Sequence, residues 1–195
     1  MNRKVNVAIL ASGRGSNARK IHQYSLTEAS SYQVGLIISN KKSAGVITYA
    51  KEQGLPYLTV GRSSFYDTDM ILADLEEYQI DLIVLAGFLW LIPPYLINKY
   101  PKRIINIHPA LLPKYGGKGM YGMYVHQAVS EAKEMKSGIT IHFADEAYDE
   151  GQIIFQAQCL LERTDKAEDI AKKVLHLEHH FYPKVLEGLS KRLEV

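Results

Sequence analysis

The chain has 195 residues, of which 47% are hydrophobic and 23% charged. This balance is typical of one ordinary globular domain and too apolar for a disordered chain. The 23 basic and 21 acidic residues leave a net charge of +2, too small to build a nucleic-acid surface by bulk electrostatics, so we expect no nucleic-acid partner. The single Cys159 excludes an internal disulfide and a cysteine-based metal site, and it favours a reducing, cytoplasmic location. The amino-terminal apolar run is too short for a membrane span and lacks a signal-peptide cleavage site, so no membrane partner is expected.

Short runs rich in valine and isoleucine alternate with segments of helical spacing along the first half of the chain. The apolar runs are typical of strands buried on both faces, and they span residues 5–11, 34–39, 57–60, 82–86 and 104–107. The segments between them predict helices over residues 17–28, 44–53, 66–78 and 94–100. Strand and helix in repeated alternation imply right-handed crossovers and a Rossmann-like, doubly wound, mostly parallel sheet flanked by helices.

The pattern changes after about residue 137. Two further strand-like runs, 139–143 and 153–160, flank an acidic loop. Residues 167–189 are helical in pattern, and we expect a break before Pro183 because the residue before a proline is disfavoured in a helix. No repeat or linker marks a boundary, so the sequence predicts a single α/β domain over 1–195 with a sheet of about seven strands.

A glycine-containing turn, residues 12–17, lies between the first predicted strand and the first predicted helix. Glycines there let the backbone approach a ligand, and the helix amino terminus offers free N–H groups, so a phosphate is the natural guest. A turn without a ligand is the alternative. The spacing Gly13-x-Gly15-x-x-Ala18 also satisfies the loose dinucleotide fingerprint, but no carboxylate ends the second strand to hold a ribose. No Gly-Lys-Ser/Thr follows either, so a phosphate monoester is favoured over a nucleotide.

Asn106 and His108 alternate along the predicted strand 104–107 and its end. Both side chains therefore emerge on one face, at the carboxyl edge where such sheets bind ligands, and Pro109 ends the strand. An amide donor beside an imidazole can stabilise an oxyanion and move a proton, as acyl transfer to an amine requires. The alternative is a histidine with a purely structural hydrogen bond.

Four carboxylates crowd the loop before the last predicted strand: Asp145, Glu146, Asp149 and Glu150. One of them could lie against His108 and favour its protonated form. A metal site that includes His142 is the competing hypothesis for this loop. The histidines His176, His179 and His180 lie on a predicted helix without a matching glutamate pattern, so we interpret them as surface or core residues rather than ligands.

Together these three segments resemble the phosphoribosylglycinamide formyltransferases, a folate-dependent formyltransferase family, from about residue 5 to 183. The stretch Asn-x-His-Pro-x-Leu-Leu-Pro is the most specific part of the likeness, and Leu85-Ala86-Gly87-Phe88 looks like a second family signature. The resemblance implies the formyltransferase fold and transfer of the formyl group of 10-formyltetrahydrofolate to the amine of 5'-phosphoribosylglycinamide in de novo purine biosynthesis, without a metal. It implies the catalytic residues Asn106, His108 and Asp149.

The resemblance also implies which residues bind the two small molecules. The substrate-binding residues would be Gly15, Ser16, Asn17 and Glu178. The folate-binding residues would be Leu89, Trp90, Leu91, Ile92, Asn106, Asp145, Glu146, Ala147, Tyr148 and Asp149. Residues 1–100 would then form a phosphate-binding half and residues 101–195 a catalytic and folate-binding half, in a monomer or homodimer.

Some features depart from the family pattern, and related activities stay open. The loop 116–124 is longer than usual, the acidic loop ends in an unusual Asp149-Glu150-Gly151-Gln152, and no basic residue lies at 67–69. A methionyl-tRNA formyltransferase would carry a further carboxyl-terminal domain, whereas only about a dozen residues follow Pro183. The remaining alternatives are a formyltetrahydrofolate hydrolase, a formyltransferase acting on another small amine, and a phosphate-ligand sensor.

Overall fold

A seven-stranded sheet forms the centre of the protein, in a computed structural model that describes residues 3–193. The strands are β1 (Val5–Leu10), β2 (Tyr32–Ser39), β3 (Tyr57–Thr59), β4 (Leu82–Leu85), β5 (Ile104–His108), β6 (Lys136–Phe143) and β7 (Ile153–Leu160). Their order is β3-β2-β1-β4-β5-β6-β7, with β1 to β5 parallel and the last two pairings antiparallel. The prediction of a mostly parallel sheet of about seven strands is confirmed.

Helices cover both faces of the sheet. They are α1 (Ser16–Ser25), α2 (Gly45–Glu52), α3 (Arg62–Tyr66), α4 (Ile71–Glu77), α5 (Pro94–Lys99), α6 (Met123–Glu131) and α7 (Ala167–Ser190). Successive side chains of a strand point to opposite faces, so Val7 and Ile9 of β1 pack in one core cluster and Ala8 and Leu10 in the other. This is why the central strands are continuous apolar runs.

The order of the strands reverses direction at β1, because β2 and β3 lie on one side of it and β4 and β5 on the other. Strand β1 pairs with β2 on one side and with β4 on the other. In open α/β sheets, the crevice at such a switch point, beyond the carboxyl ends of the strands, is where ligands bind. The loops that follow β1, β4 and β5 therefore meet at one edge.

Three helix predictions differ from the structure. Helix α7 runs through Pro183 without the expected break, because Tyr182 is fully buried and its hydroxyl donates to the carbonyls of Leu85 and Ile105. This packing offsets the hydrogen bond that a proline removes from a helix. The predicted helix 66–78 is shorter in the structure, because α3 ends at Tyr66 and α4 begins only at Ile71, and α6 was not predicted at all.

Candidate functional site

A cavity of about 710 Å³ lies at the carboxyl edge of β1, β4 and β5, where the topology predicts a ligand site. Its walls come from the turn after β1, the turn after β4, the end of β5, the loop between β5 and α6, and the acidic loop before β7. The lining residues are Ser12, Gly13, Asn17, Lys41, Gly87, Phe88, Leu89, Asn106, Ile107, His108, Pro109, Gly117, Lys118, Gly119, Met120, Tyr121, Gly122, His126, Tyr148, Asp149 and Glu178.

The glycine turn after β1 leads directly into α1. Gly15 is left-handed, with φ 75°, and a Cβ atom there would lie 2.7 Å from the side chain of Val46. Only glycine fits this position without strain. No side chain caps the first turn of α1, so its N–H groups remain available to an anion, while Gly13 faces open space at the cavity wall.

Glu178 reaches the same turn from α7, 161 residues along the chain. The side-chain amide of Asn17 donates to its carboxylate at 2.6 Å. Burial raises the pKa of Glu178, and the hydrogen bond from Asn17 opposes that change. The Oδ1 atom of Asn17 is buried without a partner among the described residues, so this pair retains an acceptor for a ligand.

His108, Asp149 and Asn106 form a contiguous polar group at the end of β5. His108 Nδ1 lies 3.3 Å from Asp149 Oδ2, and His108 Nε2 lies 2.8 Å from the carbonyl oxygen of Tyr115. Both neighbours accept hydrogen bonds, so the doubly protonated imidazolium satisfies both contacts. The second oxygen of Asp149 lies 3.5 Å from the amide nitrogen of Asn106.

Asp149 stays ionised in this environment. Burial raises the pKa of its carboxyl, but hydrogen bonds from His108 and His142, together with the backbone N–H of Gly117, outweigh burial and bring the net pKa well below its usual value. A permanent carboxylate beside His108 stabilises a positive charge on the imidazole. The site can therefore present an imidazole and an amide to a developing negative charge.

Comparison with known proteins places the chain and its fold in one group. The Formyl transferase family model matches residues 5–186. The chain belongs to the formyl transferase family. It is 43% identical over 194 residues to a chloroplastic phosphoribosylglycinamide formyltransferase of Arabidopsis thaliana, covering 97% of this chain and 66% of that protein. It therefore spans less than two thirds of that relative's length.

A bacterial relative and a solved structure match over most of their own length. The phosphoribosylglycinamide formyltransferase of Escherichia coli K12 is 33% identical over 191 residues, which is 95% of this chain and 87% of that protein. The crystal structure of the Bacillus halodurans phosphoribosylglycinamide formyltransferase superposes with a TM-score of 0.87 at 34% identity, covering 97% of this chain and 98% of that chain.

In this formyl transferase the predicted folate-binding segment after β4 divides between two places. Leu89 lines the cavity and is 43% exposed, and its N–H donates to Ser12 Oγ at 3.0 Å. Trp90 instead packs against Phe65, Tyr66 and Phe88, with ring centroids 5.6, 5.8 and 6.0 Å apart. Leu91 and Ile92 also lie outside the lining, and Ile92 is buried in the core on that face of the sheet.

The other predicted residues are divided in the same way. Of the acidic-loop residues, Tyr148 and Asp149 line the cavity, whereas Asp145, Glu146 and Ala147 are exposed outside it. Asn17 and Glu178 line the cavity, whereas Gly15 and Ser16, at the start of α1, are not among its lining residues. The structure brings Asn17, Asn106, His108, Asp149 and Glu178 together in one cavity, and the binding roles of the remaining residues stay predictions.

Sequence reasoning missed three polar residues of the site, Lys41, Lys118 and His126, and it considered a fourth, His142, only as a metal ligand. Lys41 and Lys118 line the cavity and are the cations that its wall contains; Lys41 follows β2 at the edge where ligands bind, which was a usable signal. His126 of α6 is buried with Nδ1 unpartnered among the described residues, and burial, reinforced by His108, lowers its pKa. His142 contacts both Asn106 and Asp149. Within residues 3–193, no helix is both long and apolar enough to cross a membrane.

Proposed function

We propose that this formyl transferase moves the formyl group of 10-formyltetrahydrofolate to the amine of 5'-phosphoribosylglycinamide, a step of de novo purine biosynthesis. The observation that carries the proposal is one cavity that holds both an uncapped helix terminus suited to a phosphate and the group of Asn106, His108 and Asp149. The names of the relatives, plant and bacterial, support the same activity.

The phosphate of the ribonucleotide would bind at the start of α1. The N–H groups of Ser16 and Asn17 lie in the uncapped first turn, where the helix dipole favours an anion. Lys41 lies on the same cavity wall and supplies a positive charge. The residues flanking Gly15 thus act on the ligand, while Gly15 itself allows the turn that aims them.

The ribose and the amine would lie between this turn and Glu178. A carboxylate accepts hydrogen bonds from hydroxyl and amine groups, and Asn17 holds this one in place at 2.6 Å. Its raised pKa brings Glu178 closer to sharing a proton with a bound amine than an exposed glutamate would be. The attacking nitrogen must be neutral, since its lone pair forms the new bond to the formyl carbon.

Attack creates a tetrahedral carbon with a negatively charged oxygen. Asn106 would donate a hydrogen bond to that oxygen. The imidazolium of His108 would join it by exchanging its Nε2–H contact with the Tyr115 carbonyl oxygen, 2.8 Å in this structure, for one with the oxyanion, while Asp149 would keep His108 charged and oriented. Collapse breaks the bond to N10 of tetrahydrofolate. The proton lost by the attacking amine reaches N10 through His108 or an ordered water, so the reaction is balanced without a metal or a redox step.

The folate would enter along the side of the cavity formed by Leu89 and Tyr148. Both side chains line the cavity and are partly exposed, so each offers apolar surface that an aromatic ring could cover. Trp90, Leu91, Ile92 and residues 145–147 would complete this subsite by supporting its walls.

Formyl transfer is tested by following the absorbance change as 10-formyltetrahydrofolate is consumed. We expect consumption that requires the ribonucleotide and one formylated product per folate released. Consumption without any amine would identify the hydrolase instead, and consumption with other small amines but not the ribonucleotide would identify a different transferase. Binding of phosphate ligands without consumption would identify a sensor. Glycinamide lacking the phosphoribosyl group is the matched control for the phosphate subsite.

We propose further that residues 1–195 act as one domain, with phosphate binding in 1–100 and formyl transfer in 101–195, as a monomer or homodimer. A cytoplasmic location also stays a prediction, since the Arabidopsis relative is chloroplastic.

A further inference from the structure

His142 lies beside the reacting group, and the proposed mechanism does not use it. It belongs to β6, directly opposite Asn106 of β5 in the antiparallel pairing, and its side chain is 3% exposed. A buried polar side chain in contact with two site residues requires an explanation of its own. Its two ring nitrogens have different surroundings, and these surroundings determine what it can do.

The proton on Nδ1 is assigned by a single contact. Nδ1 lies 2.8 Å from the carbonyl oxygen of Phe143, and a carbonyl oxygen only accepts hydrogen bonds. Nδ1 therefore carries a hydrogen in every arrangement of the site. The remaining variable is whether Nε2 carries a hydrogen or presents a lone pair.

Nε2 faces two groups. The end of the Asn106 amide that is assigned as nitrogen lies 3.1 Å away, and Asp149 Oδ1 lies 3.5 Å away. A lone pair on Nε2 would face the negative oxygen of a carboxylate that stays ionised, which is unfavourable. A hydrogen on Nε2 faces an acceptor in Asp149 and requires an acceptor in Asn106 as well.

The amide of Asn106 can meet that requirement by rotation alone. Its nitrogen and oxygen ends have nearly the same size, so turning the amide by 180° exchanges them without moving other atoms, and hydrogen bonding decides which end lies where. The turn gives up the 3.5 Å contact between the amide nitrogen and Asp149 Oδ1, and a hydrogen on Nε2 then lies between the two oxygens. With the NH₂ group toward a lone pair on Nε2, the cavity would receive the amide oxygen, which cannot stabilise an oxyanion. With the oxygen toward Nε2–H, the cavity receives the NH₂ group.

We propose that His142 is a positioning residue for Asn106: its Nε2–H donates to the amide oxygen and thereby directs the amide NH₂ group toward the oxygen of the reacting formyl group. This inference rests on the proposed function, because it assigns the orientation of a donor in formyl transfer. His142 acts through Asn106 and does not touch the reacting atoms. The same N–H faces Asp149 Oδ1 at 3.5 Å, so the carboxylate that contacts His108 also offers an acceptor to His142.

The test is a double-mutant cycle on kcat. His142→Phe removes the donor with a ring of similar size, and we expect kcat to fall by about 10-fold to 10²-fold, within the loss caused by removing one oxyanion donor, with the KM of each substrate little changed. In the Asn106→Ala background the same change should have almost no further effect, since the group it orients is absent. His142→Gln, whose amide can donate from a similar position, should recover most of the rate.

Three results would overturn the assignment. The first is an equal fall in kcat from His142→Phe in the parent protein and in Asn106→Ala; the second is a His142→Phe effect that disappears in Asp149→Asn but persists in Asn106→Ala; the third is a His142→Gln variant that recovers no activity.

Melting curves of each variant establish that it is folded. If His142→Phe does not fold, ¹⁵N-histidine NMR of the unaltered protein decides, with the His142 signals assigned through His142→Gln. Hydrogens on both ring nitrogens at the assay pH support the proposal, and a bare Nε2 refutes it. This measurement needs no substrate, so it stands even if the parent protein transfers no formyl group, a result that would refute only the proposed function.

Discussion

Replacing Asp149 by asparagine removes one charge from the centre of the site while keeping its shape. The side-chain oxygen can still accept the hydrogen bond from the N–H of Gly117, at 2.9 Å in the parent protein. What disappears is the attraction between the carboxylate and a protonated His108. At an effective dielectric constant of about 20, opposite unit charges 3.3 Å apart attract each other by about 5 kcal/mol.

Only part of that attraction is a net contribution, because both side chains are largely removed from water, with 4% and 10% of their surfaces exposed. A net effect of about 1.4–2.8 kcal/mol is a change of about 10-fold to 10²-fold in the protonation equilibrium, and this factor is the upper limit of the expected fall in rate at neutral pH. Lowering the pH should restore part of the rate, until protonation of the substrate amine reduces it again.

The assay is the initial rate of 10-formyltetrahydrofolate consumption over a range of pH, for Asp149→Asn and for Asn106→Ala as the matched control. Asn106→Ala removes a neutral donor, so its loss of about 10²–10³ in kcat should be the same at every pH and acid should not rescue it. Parallel pH profiles for Asp149→Asn and the parent protein would refute the electrostatic reasoning and leave Asp149 as a residue that only positions the loop.

Three further predictions concern the binding subsites. Gly15→Val should raise the KM for the ribonucleotide far more than the KM for the folate, and its clash with Val46 should also lower the melting temperature. The control Gly13→Ala, whose added Cβ meets nothing within 4 Å, should leave the melting temperature unchanged. An equal rise in both KM values in Gly15→Val would refute a phosphate site. Trp90 fluorescence should change when a folate analogue binds, because the indole ring packs on Phe88, which lines the cavity. Trp90→Ala should lower the free energy of unfolding in urea by about 2–3 kcal/mol. A loss of stability in this variant without any fluorescence response in the parent protein would indicate that Trp90 serves core packing alone. Glu178→Gln should raise the KM for the ribonucleotide about tenfold, and an unchanged KM would remove Glu178 from the substrate site. The same variant should have a higher melting temperature than the parent protein at neutral pH but not near pH 4, because a carboxyl with a raised pKa destabilises the fold only where it must ionise.

The central strands and the edge at which a ligand would bind could be predicted from local pattern. Apolar runs such as β1 and β4 can be recognised as buried strands from four to six neighbouring residues. Asn106 and His108 share a face because side chains alternate along any strand. The left-handed Gly15 between strand and helix follows equally from local chemistry. Such features depend on neighbours in the chain, so sequence reasoning reaches them.

Helix continuity and the surroundings of Trp90 depended on contacts that local pattern does not contain. Pro183 should end a helix, yet the buried Tyr182 beside it is held by carbonyls 97 and 77 residues away. Trp90 follows Leu89 by one residue but turns from the cavity into an aromatic cluster with Phe65. In both cases the free energy of tertiary packing exceeds the local preference.

The sequence by itself determined that Asn106 and His108 share one face and that a glycine turn precedes α1, because alternation along β5 and turn chemistry are local properties. Only the tertiary structure decided how those groups pair: Glu178 meets Asn17 across 161 residues, Asp149 meets Asn106 across 43, and His142 faces Asn106 through strand register. Hydrogen bonds act over about 3 Å, whereas sequence patterns locate a side chain only to a face or an edge. The surroundings of His108 and of the Asn106 amide therefore follow from the fold, since both depend on which atoms the sheet and the adjoining loops bring within that distance.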